Sequence, residues 1–216
     1  MNKTHPLKGL LRYFWYANGG RLVILFLQVI AWGIIFLVSG NAIIHAIFGI
    51  NAIAGATIAL LTAMGSKETL WERFQLTMPV RRRDLAKSQY LSVAVFSLVG
   101  IPIFALFTFF SSLLHEGVFF SMEMLFISIA PFLAAPFMLG GLIFPLACIR
   151  ALDEKGEAFF PLLILLSMAI PQGVAIAGNH WGWPMVLTSA AMIALSLVIF
   201  LVGYGVAAKL YATQDF

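Results

Sequence analysis

Residues 185–208 read MVLTSAAMIALSLVIFLVGYGVAA, an uncharged run that ends directly before Lys209. A helix needs about 20 apolar residues to cross the hydrocarbon core of a bilayer, so this run predicts a transmembrane helix. Similar runs fill most of the 216-residue chain, which is 62% hydrophobic and only 10% charged. Soluble domains carry about 25% charged residues. The composition therefore excludes an ordinary soluble enzyme, a disordered chain and a nucleic-acid-binding protein.

The apolar runs predict an all-α, polytopic membrane protein that forms one transmembrane domain over residues 1–216. Charged and turn residues separate the runs, and no loop is long enough for a soluble domain. An amphipathic segment at about 5–18 predicts an interfacial elbow helix, because apolar side chains alternate there with Lys8 and Arg12 at helical spacing. The six predicted spans cover about residues 22–38, 42–64, 90–114, 124–149, 158–178 and 185–208.

The basic residues predict the orientation of these six spans. If successive loops alternate across the membrane, all 13 Lys and Arg residues lie on one side. The loops on the other side carry only Glu116 and Glu123 as charged residues, together with Trp181 and Trp183, which suit a membrane interface. Because cytoplasmic loops hold the excess of Lys and Arg, we expect both termini in the cytoplasm.

No Asp, Glu, Lys or Arg falls inside a predicted span. Ion-coupled transporters and intramembrane enzymes need ionisable groups at membrane depth, so neither class is favoured and no catalytic or metal site is predicted. The single Cys148 is expected to be a packing residue, and His45 is expected to form a hydrogen bond or lie at the interface. Gly203 and Ala207, spaced for close helix packing, fit either internal packing or a dimer interface.

Amide side chains are the other polar groups singled out in the spans. In lipid they should face protein or a wet cavity. They fit either hydrogen bonds between helices or the lining of a transport path. These candidate path residues are Gln28, Asn51 and Gln172.

Residues 66–89 form a polar segment between the second and third spans. Thr69 and Glu72 have the spacing of a capping box, which predicts a short helix that begins near Leu70 and ends at Pro79. An apolar side formed by Leu70, Trp71 and Phe74 suits the groove of a soluble partner. The same helix could instead lie on lipid, with anionic headgroups bound by a basic turn of Arg81, Arg82 and Arg83.

This loop resembles that of a known family. Residues 67–91 read KETLWERFQLTMPVRRRDLAKSQYL, which is similar to the loop in small permease subunits of type-2 ABC exporters. In that family an acidic, tryptophan-containing helix precedes a Leu-x-x-Pro-Val-x-Arg-like turn and a Lys-x-Tyr-like start of the third span. The tail from Lys209 to Phe216 resembles the usual basic, aromatic and acidic ending of these subunits.

The resemblance implies a half-transporter in a bacterial plasma membrane. Two permease copies would pair, and two ABC ATPase subunits would bind from the cytoplasm with ATP and Mg. This chain would hold no cofactor, and its sequence contains no phosphate-loop motif. The resemblance also makes the loop helix a coupling helix that contacts the ATPase through Glu68, Leu70, Trp71, Glu72, Arg73 and Phe74.

The resemblance further points to amphipathic cytotoxic or antimicrobial peptides as cargo, as in phenol-soluble modulin exporters and immunity permeases. A lipid or drug exporter of the same family is an alternative cargo class. A membrane scaffold that works without an ATPase is an alternative outside transport.

Overall fold

A computed structural model describes residues 6–55, 82–115, 121–147 and 156–213. All regular structure in these ranges is helical, which confirms the all-α prediction. The second helix continues into a π-helical turn, Ile50–Ala54. The helices are α1 (Pro6–Ser39), α2 (Ala42–Gly49), α3 (Arg82–Leu114), α4 (Met122–Ala147), α5 (Gly156–His180) and α6 (Met185–Thr213).

Within the described residues, three helical stretches are long and apolar enough to cross a membrane: Ala86–Leu114, Met122–Pro145 and Met185–Leu210. Two shorter apolar stretches, Val23–Ser39 and Ala42–Ile53, belong to α1 and to α2 with its π-helical turn. These helices agree with a membrane protein. The count of six spans and the cytoplasmic position of the termini stay predictions.

The helices run in alternating directions. His115, just after α3, contacts Leu37 near the end of α1. The C-terminal ends of α1 and α3 therefore lie on the same side of the bundle, and these two helices are parallel. Tyr90 near the start of α3 contacts Tyr204 near the end of α6, so these two helices are antiparallel. We call the end where α3 begins and α6 ends the basic end, because Lys87 and Lys209 lie there. The other end is called the histidine end.

Two packed groups of helices meet along α3, and α4 also contacts the π-helical turn of the first group. The C-terminal half of α3 packs against α1, α2 and the π-helical turn, and its N-terminal part reaches α4 and α6. The most extensive contact between described helices joins α4 to α6, where Gly141 faces Gly203. A Cβ on Gly203 would lie 2.7 Å from the Cα of Gly141, so only glycine permits this approach. Gly203 therefore serves packing within the chain.

Helix α1 corrects one predicted boundary. The predicted elbow at about 5–18 and the first span at about 22–38 form one continuous helix from Pro6 to Ser39. Glycines at 19 and 20 cost helix stability but do not stop a helix, and no proline follows Pro6 within it. At 1.5 Å per residue the helix is about 50 Å long, which exceeds the roughly 30 Å hydrocarbon core.

Helix α3 is also longer than its predicted span, whereas α4 keeps close to its predicted bounds. Helix α3 begins at Arg82, before the predicted start of the third span at about 90, and Asp84 in its first turn is favourably placed at a helix N-terminus. Helix α4 is continuous although it contains Pro131, Pro136 and Pro145. Neighbouring helices compensate for lost hydrogen bonds at prolines in membrane helices, which explains why α4 is not broken.

Candidate coupling and translocation sites

The predicted ATPase contacts lie outside the described residues. They are Glu68, Leu70, Trp71, Glu72, Arg73 and Phe74, and Arg81 of the basic turn lies outside as well. Arg82 and Arg83 are described, and their backbone forms the first turn of α3. The predicted turn is thus helical at these two positions, because helix α3 extends back from the membrane-crossing stretch.

Tyr90 forms an aromatic cluster where α3 leaves this segment. Its side chain is only 4% exposed. The ring centroid lies 5.0 Å from that of Phe144 in α4 and 4.8 Å from that of Phe200 in α6. Tyr204 of α6 adds an edge contact at 5.4 Å. Such tilted and edge-on pairs are favourable aromatic geometries, so the first part of α3 is held against both helices.

The three candidate path amides have different surroundings. Gln28 in α1 and Gln172 in α5 are exposed, whereas Asn51 is half-buried. The Asn51 side-chain nitrogen donates a 2.8 Å hydrogen bond to the carbonyl oxygen of Ile47, one turn earlier in the chain. Among the described residues, the Asn51 side chain shows this local bond and none to another helix. The helices that carry the two glutamines pack on different neighbours, with α1 against α3 and α5 against α4 and α6.

A histidine caps α1 at the histidine end. The His115 Nε2 donates to the carbonyl oxygen of Leu37 at 2.9 Å. That carbonyl belongs to the last turn of α1, where no following backbone N–H is available within the helix. Gly40 turns the chain with a φ of +59°, and a Cβ there would lie 2.8 Å from the His115 ring. His115 thus ties the α1–α2 turn to the end of α3.

His45 makes a second connection at this end. Its Nε2 lies 3.3 Å from the hydroxyl oxygen of Thr108, which itself donates to the carbonyl oxygen of Phe104 at 2.9 Å. Because the hydroxyl has one proton, His45 must donate to Thr108. The imidazole is also sandwiched between the rings of Phe36 and Phe104, with centroids 4.7 and 4.8 Å away. The expectation of a hydrogen-bonding histidine is confirmed.

Sequence reasoning did not single out several residues that the structure places in the interior. The Ser97 and Ser111 hydroxyls on α3 are fully buried and have no hydrogen-bond partner in the described parts of the chain. Ser97, Thr108, Ser111 and His115 are spaced so that they lie on one face of the helix. This spacing is the sequence pattern from which a buried polar face of α3 could have been predicted. Among the described residues, no group of three or more His, Cys, Asp or Glu side chains is arranged to hold a metal ion.

Exposed tryptophans mark the turn between α5 and α6. Trp181 is 65% exposed and Trp183 is 38% exposed, and their ring centroids lie 5.5 Å apart. Gly182 between them has a φ of +67°, so the turn suits glycine. Tryptophans favour the interface between membrane and water. Their position at the histidine end is compatible with the predicted interfacial role.

Comparison with protein families finds a match over nearly the whole chain. A family model described as "ABC-2 family transporter protein" matches residues 13–212, from α1 into α6. No curated protein and no solved structure matches the chain.

Proposed function

We propose a function from one premise: the chain belongs to the ABC-2 family of transporter proteins. It is therefore a membrane protein and a permease component of an ABC transporter, a component that associates with ABC ATPase partners. The observation that carries this conclusion is the match over residues 13–212, which includes most of α1 and all of α2 to α5.

The proposed activity is ATP-driven export of amphipathic or hydrophobic peptides from a bacterial cell. Three stretches are long and apolar enough to cross the membrane: Ala86–Leu114, Met122–Pro145 and Met185–Leu210. Each contains a single acidic or basic residue, which lies near one end of the stretch. An apolar pathway suits a cargo that itself carries apolar surface. The resemblance of residues 67–91 to peptide-exporter permeases supports the same cargo class. A lipid or drug exporter is the second candidate, favoured by the same apolar helices.

The exposed amides support a second permease copy. Gln28 and Gln172 are exposed in the single chain, although they lie within apolar helical stretches. An amide side chain in the hydrocarbon region needs a hydrogen-bonding partner or water. A second copy of the chain, paired around a wet path, would supply both. The proposed assembly is thus two permeases with two ATPase subunits.

The proposed coupling site is the segment that precedes α3. Trp71 and Phe74 would fill a groove on the ATPase, and Glu68, Glu72 and Arg73 would add polar contacts around it. ATP and Mg would bind in the partner, whose closure would move this segment. The helical start of α3 at Arg82 supports the proposal, because a force on the segment would act directly on the end of a long helix.

Co-purification tests the proposed docking. The tagged chain is purified from its own host in mild detergent, and ABC ATPase subunits are identified by mass spectrometry. We expect Trp71→Ala combined with Phe74→Ala to reduce the bound ATPase at least about tenfold, because buried aromatic anchors often contribute about 2 kcal/mol or more to an interface. Trp181→Ala combined with Trp183→Ala is the matched control, because these tryptophans lie at the histidine end.

Equal ATPase binding in the wild type and the Trp71, Phe74 double variant would refute the docking role. A wild-type chain that binds no ATPase would favour the scaffold alternative. Transport of labelled peptide and of labelled lipid by the same reconstituted complex separates the two cargo classes. Asn51 and Gln172 are proposed as polar contacts for cargo along the transport path. Alanine substitutions at both positions that leave export and cargo-stimulated ATP hydrolysis unchanged would contradict this role.

A further inference from the structure

We propose that Tyr90 transmits movement of the coupling segment from α3 to α4 and α6. The inference rests on the proposed function, because it needs a segment that an ATPase moves. Tyr90 is the positioning residue in this scheme, and it acts through the helices that it contacts.

The first observation is the position of Tyr90 in the chain. It follows the predicted coupling segment at 66–89 directly and lies two helical turns after the start of α3 at Arg82. Ala86 and Val93, one turn before and after it on the same face, are both fully buried. The first buried face of α3 after the loop is therefore centred on Tyr90.

The second observation is which helices Tyr90 contacts. Its ring meets Phe144 of α4 at 5.0 Å, and Phe200 and Tyr204 of α6 at 4.8 and 5.4 Å. Both helices come later in the sequence and belong to the other packed group. A displacement of the start of α3 would press or pull on both through one side chain.

The third observation is that α4 and α6 are joined firmly where Tyr90 contacts them. Gly141 and Gly203 face each other so closely that neither position has room for a Cβ. Phe137 of α4 contacts Phe200 of α6 at a centroid distance of 5.0 Å. Since close-packed interiors transmit strain, the two helices would respond to Tyr90 as one unit.

The fourth observation is that the later part of α3 is tied to the first packed group. Gly100 packs on the backbone of the π-helical turn, and Thr108 and His115 bond to His45 and to Leu37. Phe104 also meets Phe132 of α4 at 5.6 Å, near the middle of the bundle. Tyr90 is thus placed to join the two groups at the basic end, closest to the coupling segment.

The test compares Tyr90→Ala with Tyr90→Phe in the permease–ATPase complex reconstituted in proteoliposomes. The measured quantity is labelled amphipathic peptide transported per ATP hydrolysed. We expect Tyr90→Ala to bind ATPase normally but to lose about tenfold in this ratio, a typical size for coupling between sites. Tyr90→Phe keeps the ring and should retain the wild-type ratio. Phe107→Ala is the matched control, because Phe107 packs against Phe48 of α2 instead.

A spin-label distance measurement on the permease alone tests whether Tyr90 holds the start of α3 against α6. Labels replace the exposed Lys87 and Val206 in a background without Cys148. We expect a narrow distance distribution with Tyr90 or Tyr90→Phe and a broad one with Tyr90→Ala.

Different outcomes overturn different statements. A Tyr90→Ala complex that keeps the wild-type transport ratio, or a Phe107→Ala complex that loses as much, would overturn the inference while leaving the proposed function intact. A narrow distribution in Tyr90→Ala would also overturn it. A wild-type permease that binds no ATPase would refute the proposed function. It would also refute the role of Tyr90 in transmitting movement, because that role rests on the proposed function.

Discussion

Replacing Gly100 by alanine tests the close contact between α3 and the π-helical turn after α2. A Cβ at this position would lie 2.7 Å from the carbonyl carbon of Ala52 and 2.8 Å from the Cα of Ile53. The carbonyl oxygen of Ala52 would lie closer still. All of these are backbone atoms, so no side-chain rotation relieves the overlap. Ordinary contact begins near 3.4 Å, so the 2.7 Å contact alone requires the backbones to separate by about 0.7 Å, and the closer carbonyl oxygen requires more.

The cost follows from two opposing effects. Overpacking a well-packed interior costs about 1–3 kcal/mol, and overlap with backbone atoms belongs in the upper part of that range. Alanine returns up to about 1 kcal/mol through its higher helix propensity. We therefore expect Gly100→Ala to lower the free energy of unfolding by about 1–2 kcal/mol, which lowers Tm by a few degrees.

The assay is thermal unfolding of the purified chain in detergent, followed by intrinsic tryptophan fluorescence. Gly205→Ala in α6 is the matched control, because nothing lies within 4 Å of a Cβ at that position. The control should melt at or slightly above the wild-type Tm. If Gly100→Ala melts as high as Gly205→Ala, the two backbones do not approach as described.

Three further substitutions test the packing within the chain by the same unfolding assay. Gly203→Ala should lower Tm more than Gly205→Ala, because its new Cβ would lie 2.7 Å from the Cα of Gly141; equal Tm values would contradict the α4–α6 contact. His115→Ala should cost about 0.5–1.5 kcal/mol by removing the donor to α1, and His115→Gln should recover part of this loss. Thr108→Val should cost about 1 kcal/mol by leaving a half-buried imidazole donor unpaired. The double variant Thr108→Val with His45→Leu should lose less stability than the sum of the two single variants. Strict additivity of the three losses would argue against the hydrogen bond.

The helices could be predicted from sequence because hydropathy acts locally. Helix α4 at Met122–Ala147 lies close to the predicted 124–149, and α5 at Gly156–His180 lies close to 158–178. The larger differences occur where amphipathic sequence continues a helix beyond its apolar core. Hydropathy does not distinguish a helix that ends at a boundary from one that continues past it, so the long α1 and the early start of α3 were not predicted.

The contacts that organise the bundle depend on which helices are neighbours. His115 follows the predicted third span directly, and nothing in its sequence surroundings indicates that it donates to Leu37 across 78 positions. Tyr90 matched a motif at the start of the third span, but its partners on α4 and α6 follow from packing alone. The coupling residues around Trp71 lie outside the described residues and remain a prediction from the loop sequence.

ATP-driven transport in proteoliposomes tests the central claim most directly. Vesicles carry this permease with or without its ABC ATPase, and the movement of a labelled amphipathic peptide is followed after ATP is added on the ATPase side. We predict transport that requires both proteins and ATP, and that stops when the ATPase loses its phosphate-loop lysine. Peptide movement by the permease alone at the rate of the full complex would contradict the account.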